Sequence, residues 1–445
     1  MPNVQNGDAM TAIMSFVTKV LTEPAPNGMP NVNERDVTFV SFPSAGIPAT
    51  NNIFDTTDQA IFNFSRLVNV ALPSSGRYRT SGNITWSVYD RVMSSHALPF
   101  SDLSPEEQTR LQQARDFLYQ PDGSYTPAHK AYYKYKTDYQ AAHDAYAQAA
   151  LKAGSAPTPE EREEWRLKLD GLVQAVNDAF EEWGAGGHRG QVQEARATIA
   201  SLTGRGPQQY FNHLGTVFNE TKKHDRSTNT DYWPTRYIPE DILDPTVSWP
   251  KYTLKHGEIN FYASQSSTSF GGGAGLDFGL FSFGAETTWS ENHERSQCET
   301  SNLEIEFEMI QLPLIRPWWD PLIFKNRGWK WAPGVSPDLI SDGGRPPQGL
   351  MPIYATDLIL ARNLKITMDM TSAISTAVRE KLSVSGSVGF GPFSLRGNYA
   401  TDDANQTFNF TETGNGIEVS GAQIIGFLGE VLPKSPDPDP DLNWE

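Results

Sequence analysis

Cysteine is nearly missing: Cys298 is the single one among 445 residues. That excludes an intrachain disulfide framework and a cysteine-based zinc site. Long hydrophobic runs are missing too. Nothing approaches the roughly 18 consecutive apolar residues of a membrane-crossing helix. The opening Met1–Met10 is polar, and Thr11–Leu21 is only weakly apolar and holds Lys19. The expectation is a protein made in soluble form without a signal peptide, with extracellular release by a non-classical route left open. Basic charge is in deficit. Against 53 acidic residues stand 36 basic ones, giving −17 and a pI near 4.9. So acidic a chain excludes nucleic acid as a partner, because phosphate binding needs a basic surface. Bulk attraction to anionic lipid is excluded on the same ground.

Catalytic signatures are absent as well. The eight histidines are scattered, and none sits in a His-Glu-x-x-His motif or another metal-ligand spacing. His293, between Glu291 and Glu294, reads as solvated rather than as a ligand. Gly271–Gly275 lacks the spacing of a phosphate or dinucleotide loop, and there is no Gly-x-Ser-x-Gly elbow. The chain reads as a non-enzyme with no cofactor and no metal.

What is present is a core-forming composition, 38% hydrophobic and 20% charged, with 36 Gly and 31 Pro that favour β-structure and turns over a helical bundle. The expected fold class is α+β, a β-rich body with two long amphipathic β-hairpins and an inserted antiparallel helical hairpin. Residues 1–100 read as a mixed, β-rich segment, with strand-like runs at Val37–Phe42, Ile61–Val70 and Ile84–Tyr89. Residues 101–205 read as helical. Ser104-Pro105-Glu106-Glu107 and Thr158-Pro159-Glu160-Glu161 combine an N-cap, a proline at the first helical position and a glutamate three residues after the cap. Thr126-Pro127 opens a helix between them, and a further helix is expected near Gln191–Leu202.

Tyr132, Tyr135, Tyr139, Ala142, Tyr146 and Ala149 recur at alternating 3 and 4. So do Trp165, Leu169, Leu172, Val176, Ala179 and Trp183. That is the seam of a coiled coil, and the short link Lys152–Pro157 makes it an antiparallel hairpin. The stripe serves core packing or, in the other reading, a partner. Residues 206–256 read as an aromatic, proline-rich connector, 257–432 as a β-rich domain, and 433–445 as a disordered acidic Pro-rich tail.

The most informative feature is an internal repeat. Phe278-Gly279-Leu280-Phe281-Ser282-Phe283 matches Phe390-Gly391-Pro392-Phe393-Ser394-Leu395, each with a Gly-x pair between aromatics, as a tight hairpin turn needs. Period-two alternation flanks both copies. The apolar face of the first carries Phe270, Leu276, Phe278, Phe281, Phe283 and Trp289. That of the second carries Leu382, Val384, Val388, Phe390, Phe393, Leu395 and Tyr399. The opposite faces are small and polar. Each arm has roughly the 9–10 alternating residues a tilted strand needs to cross a bilayer. A half-buried hairpin of an ordinary β-sandwich alternates in the same way. Between the copies lies an aromatic loop with Trp318, Trp319, Trp329 and Trp331. It reads either as a lipid- or glycan-contacting tip or as a packed corner.

With those motifs in view, the C-terminal half resembles a widespread, largely uncharacterised family of bacterial and fungal proteins. The resemblance runs through the two Phe-Gly-x-Phe-Ser hairpins, Ile305–Ile310 leading to Arg316-Pro317-Trp318, Leu350-Met351-Pro352 before Ile359–Arg362, and Gly421-Ala422-Gln423-Ile424-Ile425-Gly426-Phe427. It implies no established activity. The two-hairpin logic is similar to that of perforin-like and cholesterol-dependent cytolysins, whose signature motifs the chain lacks, so the likeness is one of mechanism. The leading expectation is an oligomerising β-pore-forming or membrane-inserting protein that uses two hairpins per subunit. The alternative is a self-assembling structural protein, a tube, shell or filament with hairpins paired between subunits. The partners expected are further copies of the chain, a lipid membrane or a surface glycan.

Overall fold

The computed structural model describes residues 6–22, 38–99, 104–121, 123–155, 158–203, 207–255, 258, 281–283, 287–288, 303–368, 387–397, 410–413, 416–442 and 444. It begins with α1 (Asn6–Thr22), β1 (Thr38–Ser41), β2 (Ile47–Pro48), α2 (Asp58–Val68), α3 (Thr85–Ser95) and β3 (His96–Ala97). A helical layer follows: α4 (Pro105–Leu118), α5 (Pro127–Ser155), α6 (Pro159–Ala185), α7 (Arg189–Thr203) and α8 (Pro207–Thr221). Short strands β4 (Lys223–Asp225), β5 (Thr230–Tyr232) and β6 (Arg236–Tyr237) lead to β7 (Lys251–Lys255), β8 (Phe281–Phe283) and β9 (Thr287–Thr288). The long β10 (Glu304–Ile315) precedes α9 (Leu322–Lys325), β11 (Lys330–Trp331) and the long β12 (Ile353–Thr367). Last come β13 (Ser387–Phe390), β14 (Phe393–Gly397), β15 (Phe410–Thr413), β16 (Gly416–Val419) and β17 (Gln423–Val431). The protein is thus mixed α+β, built on antiparallel strands.

A nine-stranded antiparallel sheet has β10, β12 and β17 as its spine. Strand β12 pairs with β10 along most of its length, while its other side is shared by β17 and β16. Its sequence reads as a nearly continuous apolar run because the sheet is covered on both faces. Ile359 and Ala361 enter a core shared with α1, Phe390, Phe393 and Leu395. Leu358 and Leu360 enter a second core with Phe64, Val68 and Trp249. Strands β14, β13, β8 and β9 form a separate four-stranded sheet.

Both predicted capping boxes close. Glu107 N–H donates to Ser104 Oγ and Glu161 N–H to Thr158 Oγ1, each at 3.2 Å. Helices α5 and α6 run antiparallel, since Tyr132 meets Trp183 at one end and Lys152 lies over Trp165 at the other. Tyr132, Tyr139, Val176 and Trp183 are buried in that seam, whereas Tyr135, Tyr146, Trp165, Leu169 and Leu172 are half-buried.

Several expectations are corrected. Ile61–Val70 and Ile84–Tyr89 lie mostly in helices α2 and α3, not strands. Thr57 caps α2 by accepting from Ala60 N–H, and short apolar runs do not separate strand from buried helix. The connector begins with a 15-residue helix, α8, which buries Tyr210, Phe211, Leu214 and Phe218 on one face. Helix α1 was missed because Ser15, Thr18 and Lys19 dilute its apolar character, yet Ile13, Phe16, Val17 and Val20 are core. The tail is docked rather than extended into solvent. Ser435 is fully buried and exchanges hydrogen bonds with Ser341, and Arg327 pairs with Asp437.

Candidate functional site

The four strands β7, β10, β12 and β16 lie side by side, and their ends are level. Lys255 faces Glu304, Glu304 faces Thr367, and Thr367 faces Gly416. Two segments of equal length, 256–303 and 368–415, therefore leave and rejoin the sheet on a single row. These are the segments that carry the internal repeat. The outer strand β15 belongs to the second of them and folds back onto β16.

The described parts of the repeat pair with each other. Phe281 faces Phe390 and Phe283 faces Val388 across β8 and β13. In the second copy the expected turn is present. Phe390 faces Phe393 across a two-residue loop, and Gly391 has φ of 63°, the positive value a type II′ turn needs at its first central residue. The first copy departs from expectation. Phe283 faces Thr287 and Ser282 faces Thr288, so the chain reverses after Phe283 instead of continuing as one arm through Trp289. Phe270, Leu276, Phe278, Trp289, Leu382, Val384 and Tyr399 lie outside the described residues.

Three positions of the expected lipid-facing surface are enclosed in the structure. Phe390, Phe393 and Leu395 have no exposure, and Phe393 packs on Phe307 at 5.2 Å between ring centroids. A side-chain clamp holds them there. Gln423 Oε1 accepts from Ser394 N–H at 2.6 Å, and Gln423 Nε2 donates back to Ser394 carbonyl at 3.3 Å. The amide thus takes the place of a neighbouring strand for β14. Gly46 makes room for it, since a Cβ there would meet Gln423 Oε1 at 1.9 Å. Two motifs of the sequence, Phe-Gly-Pro-Phe-Ser and Gly-Ala-Gln-Ile-Ile-Gly-Phe, meet at this clamp.

The tryptophan loop is a packed corner, not a protruding tip. Trp318, Trp319, Trp329 and Trp331 are all buried. The indole N–H groups of Trp318, Trp329 and Trp331 donate to the carbonyls of Pro234, Ile323 and Asp338. Arg316 anchors the corner by donating to Asn69 Oδ1 (2.6 Å), Ala355 carbonyl (2.7 Å) and Val68 carbonyl (2.9 Å). Burial pulls its guanidinium down to about 10, so it stays charged at neutral pH. Trp-rich composition suits both a membrane interface and an aromatic core; here a buried arginine with three acceptors decides for the core.

Sequence reasoning missed a second buried face of α5. Lys136, Gln140, His143, Asp144 and Gln148 are buried although polar, so no apolar period announces them. His143 Nδ1 and Asp144 Oδ1 stand 3.6 Å apart. Burial raises the Asp144 carboxyl, with His143 opposing, and burial next to Asp144 raises the Tyr252 phenol of β7. Among the described residues no group of three or more His, Cys, Asp or Glu is arranged to hold a metal. None of the described helices is long and apolar enough to cross a membrane.

Comparison of the chain with protein-family models, with curated proteins and with solved structures returns no match.

Proposed function

We propose that this protein is a non-enzymatic, oligomerising membrane-inserting protein whose two repeat-bearing segments become β-hairpins in a shared barrel wall. One observation carries the reading: segments 256–303 and 368–415 match in length and leave one level row of an antiparallel sheet. A hairpin made from either segment has arms roughly twice the 9–11 residues a tilted strand needs to span a bilayer. Extended from that row, the arms continue the alternating directions of β7, β10, β12 and β16. Copies of such a four-stranded unit close into a barrel without a free edge, the condition for β-structure in lipid. The clamped state is then the form before insertion, with the phenyl rings kept from water in the subunit's own core.

The test is dye release from liposomes, read together with an environment-sensitive fluorophore at Phe283→Cys, on the apolar face near the tip of the first segment, with Cys298→Ser to remove the native thiol. The expected result is release with a concurrent rise in probe emission. Probe emission unchanged in a lytic preparation would sink the reading. The second reading is self-assembly into a tube, shell or filament without lipid, with the hairpins paired between subunits. Electron microscopy separates the two: regular polymers in buffer alone support the second, and rings only on liposomes the first.

A further inference from the structure

A cleft of about 330 Å³ lies where the helical layer meets the sheet, at the lower end of the range for small-molecule sites. Its walls are the end of α4, the first turns of α5, α7 and the segment after β10, and its floor is β12 and β17. Arg196 of α7 stands on the wall, half-buried. One end of its guanidinium is fixed. Nη2 donates to His129 Nε2 (3.0 Å) and to Tyr133 Oη (2.9 Å), both neutral. Burial and the adjacent cation hold His129 well below the usual histidine range, and its Nδ1–H goes to the Leu118 carbonyl, which leaves Nε2 as an acceptor. The rings of Tyr132 and Tyr133 lie 5.1 and 5.8 Å or less from the guanidinium carbon. Among the described residues no carboxylate is within ion-pair distance of Arg196. Asp320 acts on it only through space, because its oxygens accept from Tyr210 Oη (2.9 Å) and Leu322 N–H (3.0 Å). The Nε–H and Nη1–H groups of Arg196 have no partner among the described residues, and neither is sealed from solvent.

The other charges of the cleft are already engaged. Arg316 is saturated by neutral acceptors and coupled to Asp357. Lys325 is paired with Glu430, whose second oxygen accepts from Tyr354 Oη. Lys136 is buried and has a partner. Four cations therefore line the cleft against three carboxylates, Asp320, Asp357 and Glu430. One positive charge in excess, within a chain of net charge −17, suits a ligand with a single negative charge rather than a phosphate dianion or a metal cation. The open edge of Arg196 presents two parallel N–H donors, the fork that matches the two oxygens of a carboxylate. Much of the remaining wall is apolar, with Ile199, Leu314, Pro321 and Leu322. We infer that this cleft binds a small monocarboxylic acid, its carboxylate forked onto Nε and Nη1 of Arg196 and its hydrocarbon part against Ile199, Leu314 and Leu322. The inference does not depend on the membrane reading, because its readout is acid binding rather than lysis.

The test is saturation-transfer NMR and calorimetry on the full chain with benzoate, phenylacetate and hexanoate. Benzamide, which keeps the shape of benzoate without its charge, and inorganic phosphate are separate arms. At least one acid is expected to bind at about 1 mM or below, and benzamide about tenfold more weakly than benzoate or not at all. Arg196→Lys keeps the charge and removes the fork, and is expected to weaken acid binding about tenfold or more. Leu322→Trp fills the cleft from its half-exposed wall and leaves Arg196 in place. It is expected to abolish binding, and it serves if Arg196→Lys fails to fold. Overturning results are no binding by any of the three acids, benzamide binding as tightly as benzoate, acid binding that both variants leave untouched, or binding of phosphate in place of the acids.

Discussion

At the scale of the residue, Gln423 ties the repeat to the body. Changing Gln423→Leu leaves the buried Ser394 N–H without an acceptor, a loss of about 1–3 kcal/mol. The expected outcome is a lower urea midpoint together with faster dye release, because the side chain that holds β14 also delays its departure. Lower stability with slower release would show that the clamp belongs to the active form. Titration gives a second residue-scale prediction. Burial, with help from Arg115, pulls His213 down to about 4. Between that value and the ordinary one near 6.5 the unfolded chain carries the proton and the native one does not. Protons therefore favour unfolding, and stability falls as pH drops through this window. His96 and His129 are shifted in the same direction by burial, while the raised carboxyls of Asp144 and Asp320 act in the opposite sense. His213→Gln is expected to lose less stability than the parent between pH 7 and pH 5, measured by urea denaturation at each pH.

At the scale of the element, the helices with explicit start signals were legible and the others were not. Ser104-Pro105-Glu106-Glu107 and Thr158-Pro159-Glu160-Glu161 place α4 and α6 because a cap is a local device, written in four residues. Ser104→Ala and Thr158→Ala should each cost about 1 kcal/mol, seen as a lower thermal midpoint. Helix α3 starts at Ile84 without any side-chain cap, so its apolar residues carried no sign of helix. The Gly391 turn was legible because a two-residue hairpin restricts its own sequence. The reversal after Phe283 was not, since Gly284-Ala285-Glu286 lacks the Asn-Gly or Gly-Pro pair that marks a short turn; nor was the pairing of β8 with β13, which depends on a segment about a hundred residues away. The same holds for the candidate sites. Trp318 and Trp319 could be singled out from composition, but their burial follows from Arg316 finding Asn69, Val68 and Ala355, contacts no local pattern contains. Gln423 was visible only as a letter in a motif.

At the scale of the whole molecule, membrane insertion requires β8 and β13 to separate or to move together away from the core. A disulfide between the facing positions of Phe283→Cys and Val388→Cys, with Cys298→Ser to remove the native thiol, tests which occurs. Separation predicts no dye release when oxidised and full release after reduction. Release by both forms would mean that the two hairpins travel as one paired unit. Among the described residues, Leu167 and Leu339 are the large apolar side chains left exposed. Under the proposed function, lipid contact would then fall to the two repeat-bearing segments rather than to the described surface.

The flush alignment of Lys255, Glu304, Thr367 and Gly416 carries a constraint on how the chain can vary. If both excursions build one palisade, its height is set twice, once by each. An insertion in one alone gives a notched crest, with backbone groups stranded at uneven depth. Compensating insertions of the same size give a taller palisade with an even crest. Length in this half of the chain is thus a paired quantity.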